Sequence, residues 1–291
     1  MTIFCLGSIN ADHFYDVPNI PAPGETLAAT GHRIGLGGKG ANQSVAAAQA
    51  GAKVVHIGAV GDDGSWAVER LAALGVDTTH IRTSDQPTAH AIISVDAAGE
   101  NSIVIYSGAN LDQSEDGIET ALSQGQEGDL LILQNETSHQ VTAARFAHEQ
   151  GLSVIYSAAP FAVDAVKDML PFTDILVVNE IEAQQLTDAL ETTLDGLPVE
   201  GVVVTKGSKG AEFHALDEGE VISVPAIPVT PVDTTGAGDT FLGYLVAALD
   251  QGSEMEDALK LASRAAALKV TRPGTADAIP SREEVDGFDP T

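Results

Sequence analysis

The chain has 291 residues, 44% of them hydrophobic, and a formal net charge of −28 from 42 acidic and 14 basic side chains. That charge argues against nucleic acid or an anionic membrane as partner, because both are polyanions. No apolar run reaches membrane length, no basic leader follows Met1, and one cysteine, Cys5, excludes a disulfide framework, so the expected compartment is the cytoplasm.

In chain order, Ile3–Leu6 reads as a buried strand, and Asp12–Ile34 as extended, alternating segments. A helix over Ala41–Ala50 is expected to stop at Gly51, a strand follows at Val54–Val60, and a second helix over Trp66–Leu74 stops at Gly75. Thr88–Ser107 again alternates, with a turn at Ala97-Ala98-Gly99. Leu130–Leu133, Ser153–Tyr156, Ile175–Val178 and Val202–Thr205 are further apolar strands, with a helix over Gln140–Gln150 ending at Gly151. A last buried helix runs from Asp239 to Leu249.

Strands alternating with helices predict an α/β fold with a mostly parallel central sheet and helices on both faces. The segments 12–34 and 88–107 break that rhythm and are expected to form a small projecting β-sheet, a lid. Without repeats, charge blocks or Pro/Ser linkers, residues 1–291 are expected to form a single domain.

Val232-Asp-Thr-Thr-Gly-Ala-Gly-Asp-Thr-Phe241 is the most informative segment. Its small residues leave backbone amides unobstructed at a helix start, which suits an anion. Asp239 in the first turn would lie beside that anion. Amides for a transferring phosphoryl group, plus a base for a hydroxyl proton, are the minimum parts of a kinase.

Gly35-Leu-Gly-Gly-Lys-Gly40 matches G-x-G-x-x-G in letter, but Thr30–Ile34 before it is a poor core strand, which weakens a dinucleotide reading. It is not a Walker A loop, since Arg33 stands where glycine is needed and Gly40 follows Lys39 where Ser or Thr would be. It remains a glycine loop opening a helix, with Asn42 in its first turn. The eight histidines show no metal-binding pair, and no G-x-S-x-G elbow occurs.

Polar clusters follow several strands: Ser8-Ile-Asn10-Ala-Asp12, Gln134-Asn-Glu136, Asn179-Glu-Ile-Glu182 and Thr205-Lys-Gly-Ser-Lys-Gly210. Each alone fits an Asx turn or a helix cap. Together at one sheet edge they suit a polyhydroxylated ligand. Lys39, Lys206, Lys209 and Arg272 lie in or beside glycine-rich loops, where either a phosphate or solvent would meet them.

These segments, with Pro23-Gly-Glu-Thr26, Gly37–Gln43, Gly61-Asp-Asp63, Gly108-Ala-Asn110 and Val270–Gly274, resemble the ribokinase (PfkB) family of sugar kinases nearly end to end. Gly-Gly-Lys-Gly-Ala-Asn-Gln with Ser-Ile-Asn-Ala-Asp narrows the resemblance toward its ribose-phosphorylating members.

The resemblance implies a three-layer fold and an ATP-dependent transfer to the 5-hydroxyl of D-ribose. It implies Asp239 as base and the amides of Gly236, Ala237 and Gly238 as anion hole. Asn10, Asp12, Gly38, Lys39, Asn42 and Glu136 match sugar-contacting positions, and Thr205, Gly207, Ser208 and Gly210 fall where ATP is held. Asn179 and Glu182 form an element that organises Mg2+ and phosphate through water. Asp233 and Thr235 match part of a monovalent-cation (K+) site. A homodimer through the lid sheet is also implied.

Two departures stand out: Ser157-Ala-Ala-Pro160 replaces a common Asn-Pro-Ala-Pro, and Ala278 replaces a frequent serine ligand of the monovalent ion. Rival readings are a kinase of deoxyribose, a ketose or a nucleoside, a catalytically silent sugar sensor, and a nicotinamide-dependent dehydrogenase.

Overall fold

The computed structural model describes residues 1–289. Thirteen strands form two sheets among these residues. The main sheet takes β1 (Thr2–Leu6), β4 (Lys53–Val60), β5 (Asp77–Thr83), β8 (Leu130–Leu133), β9 (Ser153–Ser157), β10 (Ile175–Asn179), β11 (Gly201–Thr205), β12 (Ala211–Ala215) and β13 (Glu220–Val224). Their order is β13-β12-β11-β10-β9-β8-β1-β4-β5, parallel from β11 to β5, with β12 antiparallel to both its neighbours.

The helices are α1 (Lys39–Gln49), α2 (Ser65–Ala73), α3 (Glu115–Leu122), α4 (Gln140–Glu149), α5 (Val163–Met169), α6 (Glu180–Leu190), α7 (Ala237–Asp250), α8 (Met255–Lys269) and α9 (Arg282–Gly287). Because strand side chains alternate, Ile3 and Cys5 join one core with α1, α7 and α8, while Phe4 and Leu6 join a second core with α3, α4 and α6. Burial on both faces is why the central strands read as continuous apolar runs. The four expected helices each end within a residue of the expected position.

Three strands of the main sheet lacked an apolar signature in the sequence. β5 reads Asp-Thr-Thr-His-Ile-Arg-Thr and lies at one edge, while the β12–β13 hairpin forms the other. Edge strands face solvent on one side, so they keep polar residues that a core strand excludes.

The lid is a separate four-stranded sheet, ordered β3-β2-β6-β7 from β2 (Asn10–Asp16), β3 (Gly31–Gly37), β6 (Ala89–Val95) and β7 (Asn101–Tyr106). Residues 17–30 are loop, so only the two ends of the 12–34 segment are strand. Register puts Asn10, Asp12 and Phe14 on the inner face of β2. His13, Tyr15, His32, Ile34, His90, Ile92, Val104 and Tyr106 occupy the outer face, where Ile34, Ile92, Val104 and Tyr106 are exposed.

The strand order reverses between β8 and β1. In open parallel sheets, such a switch point leaves a crevice beyond the carboxyl ends of the strands.

Candidate active site

The floor is made where α7 begins. Gly236 caps the helix in the left-handed conformation (φ 73°), a turn that a side chain would strain. The Ala237 amide is used in closing the turn, donating to Thr234 O at 3.2 Å. The amides of Gly236 and Gly238 meet no acceptor among the described residues. Of the three amides expected to face an anion, two are therefore free.

Asp239 follows directly. Its Oδ2 accepts from Asn42 Nδ2 at 2.9 Å and its Oδ1 from Gln43 Nε2 at 3.1 Å. Gln43 is itself oriented, because its Oε1 accepts from Gln134 Nε2 at 2.8 Å. Buried Gln134 and Gln43 thus fix which face the half-buried Asp239 carboxylate presents.

Close helix packing makes this possible. A Cβ added at Gly243 would lie 2.4 Å from Ala46 Cβ and 2.6 Å from Gln43 O, so only glycine lets α7 meet α1 at that distance. Gly243 has no role in the sequence reading, which offers Gln134 only as the first member of a polar cluster after a strand. Their signal, a glycine on a buried helix and an amide at a strand end, has meaning only in three dimensions.

Beside this floor lies a polar wall. Ser8 Oγ donates to Glu136, which also accepts from the Lys39 amide at 3.2 Å. Gly38 (φ 94°) lies against Ser8, whose carbonyl would be 2.6 Å from an added Cβ. Asn10 Oδ1 accepts from Asn110 Nδ2 at 2.8 Å, and Asn110 Oδ1 accepts from the Ile9 amide at 3.0 Å. Asn110 is thus a site residue that the sequence offered only inside a longer matching segment.

Asn10, Asp12 and Asn42 are all buried. Burial, reinforced by the charge of Glu136, pushes the Asp12 carboxyl up to about 7. For Lys39, burial acts downward, but the carboxylates of Asp239, Glu136 and Glu182 outweigh it and hold the ammonium's pKa above the usual value. Asn10, Asp12, Gly38, Lys39, Asn42, Glu136 and Asp239 therefore form one connected cluster.

The far side is more open. Asn179 caps α6, its Oδ1 accepting the Ile181 and Glu182 amides at 2.9 Å, while Glu182 Oε2 accepts the Asn179 amide at 2.8 Å. This reciprocal capping box satisfies helix-end donors. Glu182 still has its other oxygen without a protein partner among the described residues. Thr205 pairs in register with Asn179, and exposed Gly207 and Ser208 lie in the turn beyond it. Gly210 (φ 108°) is a packing glycine, since an added Cβ would meet Val224 O at 2.0 Å.

Lys206, Lys209 and Arg272 are committed to Glu212, Glu180 and Glu284 at 2.5, 3.0 and 2.8 Å. Lys39 is the glycine-loop cation that faces the acid cluster. A single carboxylate oxygen with no soft ligands suits Mg2+ held largely by water and phosphate, and no group of three or more His, Cys, Asp or Glu able to hold a metal occurs among the described residues.

Behind the floor, Asp233 Oδ1 accepts the Thr235 amide and its Oδ2 the Gly274 amide, both at 2.9 Å. Partial burial raises the Asp233 pKa, but these two amides reverse that and leave it below the ordinary range.

The family model described as "pfkB family carbohydrate kinase" matches residues 2–282. The chain belongs to this family. A ribokinase of Haemophilus influenzae is 38% identical over 302 residues, covering 99% of this chain and 98% of that protein. A Bacillus subtilis ribokinase is 36% identical, with 98% of each chain covered. The structure of Arabidopsis thaliana ribokinase complexed with ribose and ATP superposes with a TM-score of 0.87 at 31% identity, covering 99% of each chain. The carbohydrate-kinase reading and the fold expected from the sequence both hold.

Proposed function

We propose that this protein transfers the γ-phosphoryl group of ATP to the 5-hydroxyl of D-ribose. The observation that carries the reading is the Asp239 carboxylate, held by Asn42 and Gln43 directly beside the free amides of Gly236 and Gly238. In this reading Asp239 accepts the hydroxyl proton as the oxygen attacks phosphorus, and the amides steady the charge on the phosphoryl oxygens. Asn10, Asp12, Gly38, Lys39, Asn42 and Glu136 hold the sugar, with acceptors and donors alternating as its hydroxyls require.

Thr205, Gly207 and Ser208 edge the nucleotide, while Gly210, expected beside them, packs against Val224 and shapes the turn. Magnesium, bound through Glu182 and water beside Asn179, would neutralise phosphate charge. A positive charge behind the loop is a further requirement, and the Asp233–Thr235 segment, expected to hold potassium, is where it belongs.

We assign the exposed outer lid face, with Ile34, Ile92, Val104 and Tyr106, to contact with a second copy of the chain. Charge substitution at Val104 should convert a dimer to monomer in sedimentation; an unchanged mass removes that assignment.

The activity is tested by measuring ATP consumption with ribose, deoxyribose, fructose and nucleosides, and by locating the phosphate on the product. Preference for ribose with a 5-phosphate product is expected. A better rate with another acceptor replaces the substrate, and no sugar-dependent consumption replaces the reading with a sensor.

A further inference from the structure

Lys269, the last residue of α8, is fully buried. A lysine in the last helical turn ordinarily favours the helix dipole and extends its head into water. This one does not reach water. Its Nζ instead donates to the main-chain oxygen of Asp233 at 3.2 Å. Burying an ammonium is costly unless the surroundings use its charge.

The surroundings here are the root of the anion-binding turn. Val232 and Asp233 donate their amides to Val270 O at 2.7 and 3.1 Å, and Gly274 donates to the Asp233 carboxylate. Lys269 thus joins the loop following α8 to the loop preceding α7. Burial pulls the pKa of its ammonium below the usual value, and the Asp233 and Asp239 carboxylates oppose that loss of charge.

The same place was expected to hold a monovalent cation through Asp233 and Thr235. The donor set does not fit that ion. Ala278 offers no side-chain oxygen, the Asp233 carboxylate already accepts two amides, and the Asp233 carbonyl takes the lysine. An alkylammonium carries the same charge as potassium and is of similar size.

We propose that Lys269 is a built-in replacement for the monovalent cation, a positioning residue that holds the Asp233–Gly238 loop so that transfer does not require potassium. The proposal rests on the reading of that loop as the phosphoryl-holding turn.

The test compares sugar-dependent ATP consumption in potassium chloride and in choline chloride at equal ionic strength. The unmodified protein should show the same kcat in both. Lys269→Ala should lose roughly tenfold to a hundredfold of kcat in choline, the scale of a preorganised charge at a reacting phosphate. Potassium or ethylammonium should restore part of that loss, which a merely structural lysine would not allow. The thermal midpoint of Lys269→Ala should also rise with potassium relative to choline.

Strong potassium activation of the unmodified protein overturns the proposal, as does full activity of Lys269→Ala in choline. If that variant does not fold, Lys269→Met is used. If neither folds, potassium indifference of the unmodified protein upholds the proposal and activation overturns it. Absence of sugar-dependent turnover in every salt would instead count against the kinase reading.

Discussion

Around Asn10, Asp12 and Glu136 the cleft is walled by mostly buried side chains, with Asn10 bonded to Asn110 and Glu136 to Ser8, whereas around Thr205, Gly207 and Ser208 it is edged by half-buried and exposed residues. The first wall leaves polar groups unpaired if a ligand lacks a matching hydroxyl, and such sites discriminate strongly. The second presents a turn that an anion can approach without side-chain rearrangement. Sugar choice belongs to the enclosed half, and the open half has only to admit and release a nucleotide.

The most severe way to break this contrast is Asp239→Asn. Turnover should fall by roughly two to four orders of magnitude with an unchanged thermal midpoint. Near-normal steady-state kinetics would show that the junction of the two halves is not the reacting centre.

Gln134→Leu tests whether the buried amide chain aims the acid. Releasing Gln43 should lower kcat by roughly tenfold to a hundredfold, as a misplacement of about 1 Å does, with little change in KM for ATP. A change in ATP KM alone would mean that the halves are not separate.

Asp12 sharpens the comparison through pH. Its folded pKa of about 7 lies above the ordinary value of 3.8, so the folded state holds more protons between those values. The contribution of Asp12 to ligand-free stability should therefore be fullest below about pH 4 and decline as pH rises to about 7. Denaturant titrations of Asp12→Asn should lack that decline while sugar binding weakens. The same slope in both proteins would assign it elsewhere.

The smallest effect is expected on the open side. Lys209 and Glu180 form an exposed ion pair, so Lys209→Ala should shift unfolding free energy by less than about 1 kcal/mol. A larger shift in a denaturant titration would show that this rim is structural.

Much was legible in the chain because physical demands were local. The buried strands from Ile3 to Thr205 announce themselves by unbroken apolar runs, and Gly236 to Asp239 by a run that few other structures require. The marginal strands, β5 at one edge and the β12–β13 hairpin at the other, were not legible, since partial exposure permits almost any residue there. Gln43, Asn110 and Gln134 escaped assignment for another reason: an amide's role depends on which partner faces it, and theirs lie 91 to 196 residues away.

By itself, then, the sequence determined a parallel α/β core, a separate lid and an acid seated at a glycine turn, because side-chain period and backbone freedom are written residue by residue. Only the tertiary structure decided that Asp239 is gripped by a relay of amides. Packing alone also revealed that Lys206 and Lys209 are spent on carboxylates and that Lys269 lies buried behind the turn. Charge and hydrogen bonding act through space, and the chain does not record distances between residues far apart along it.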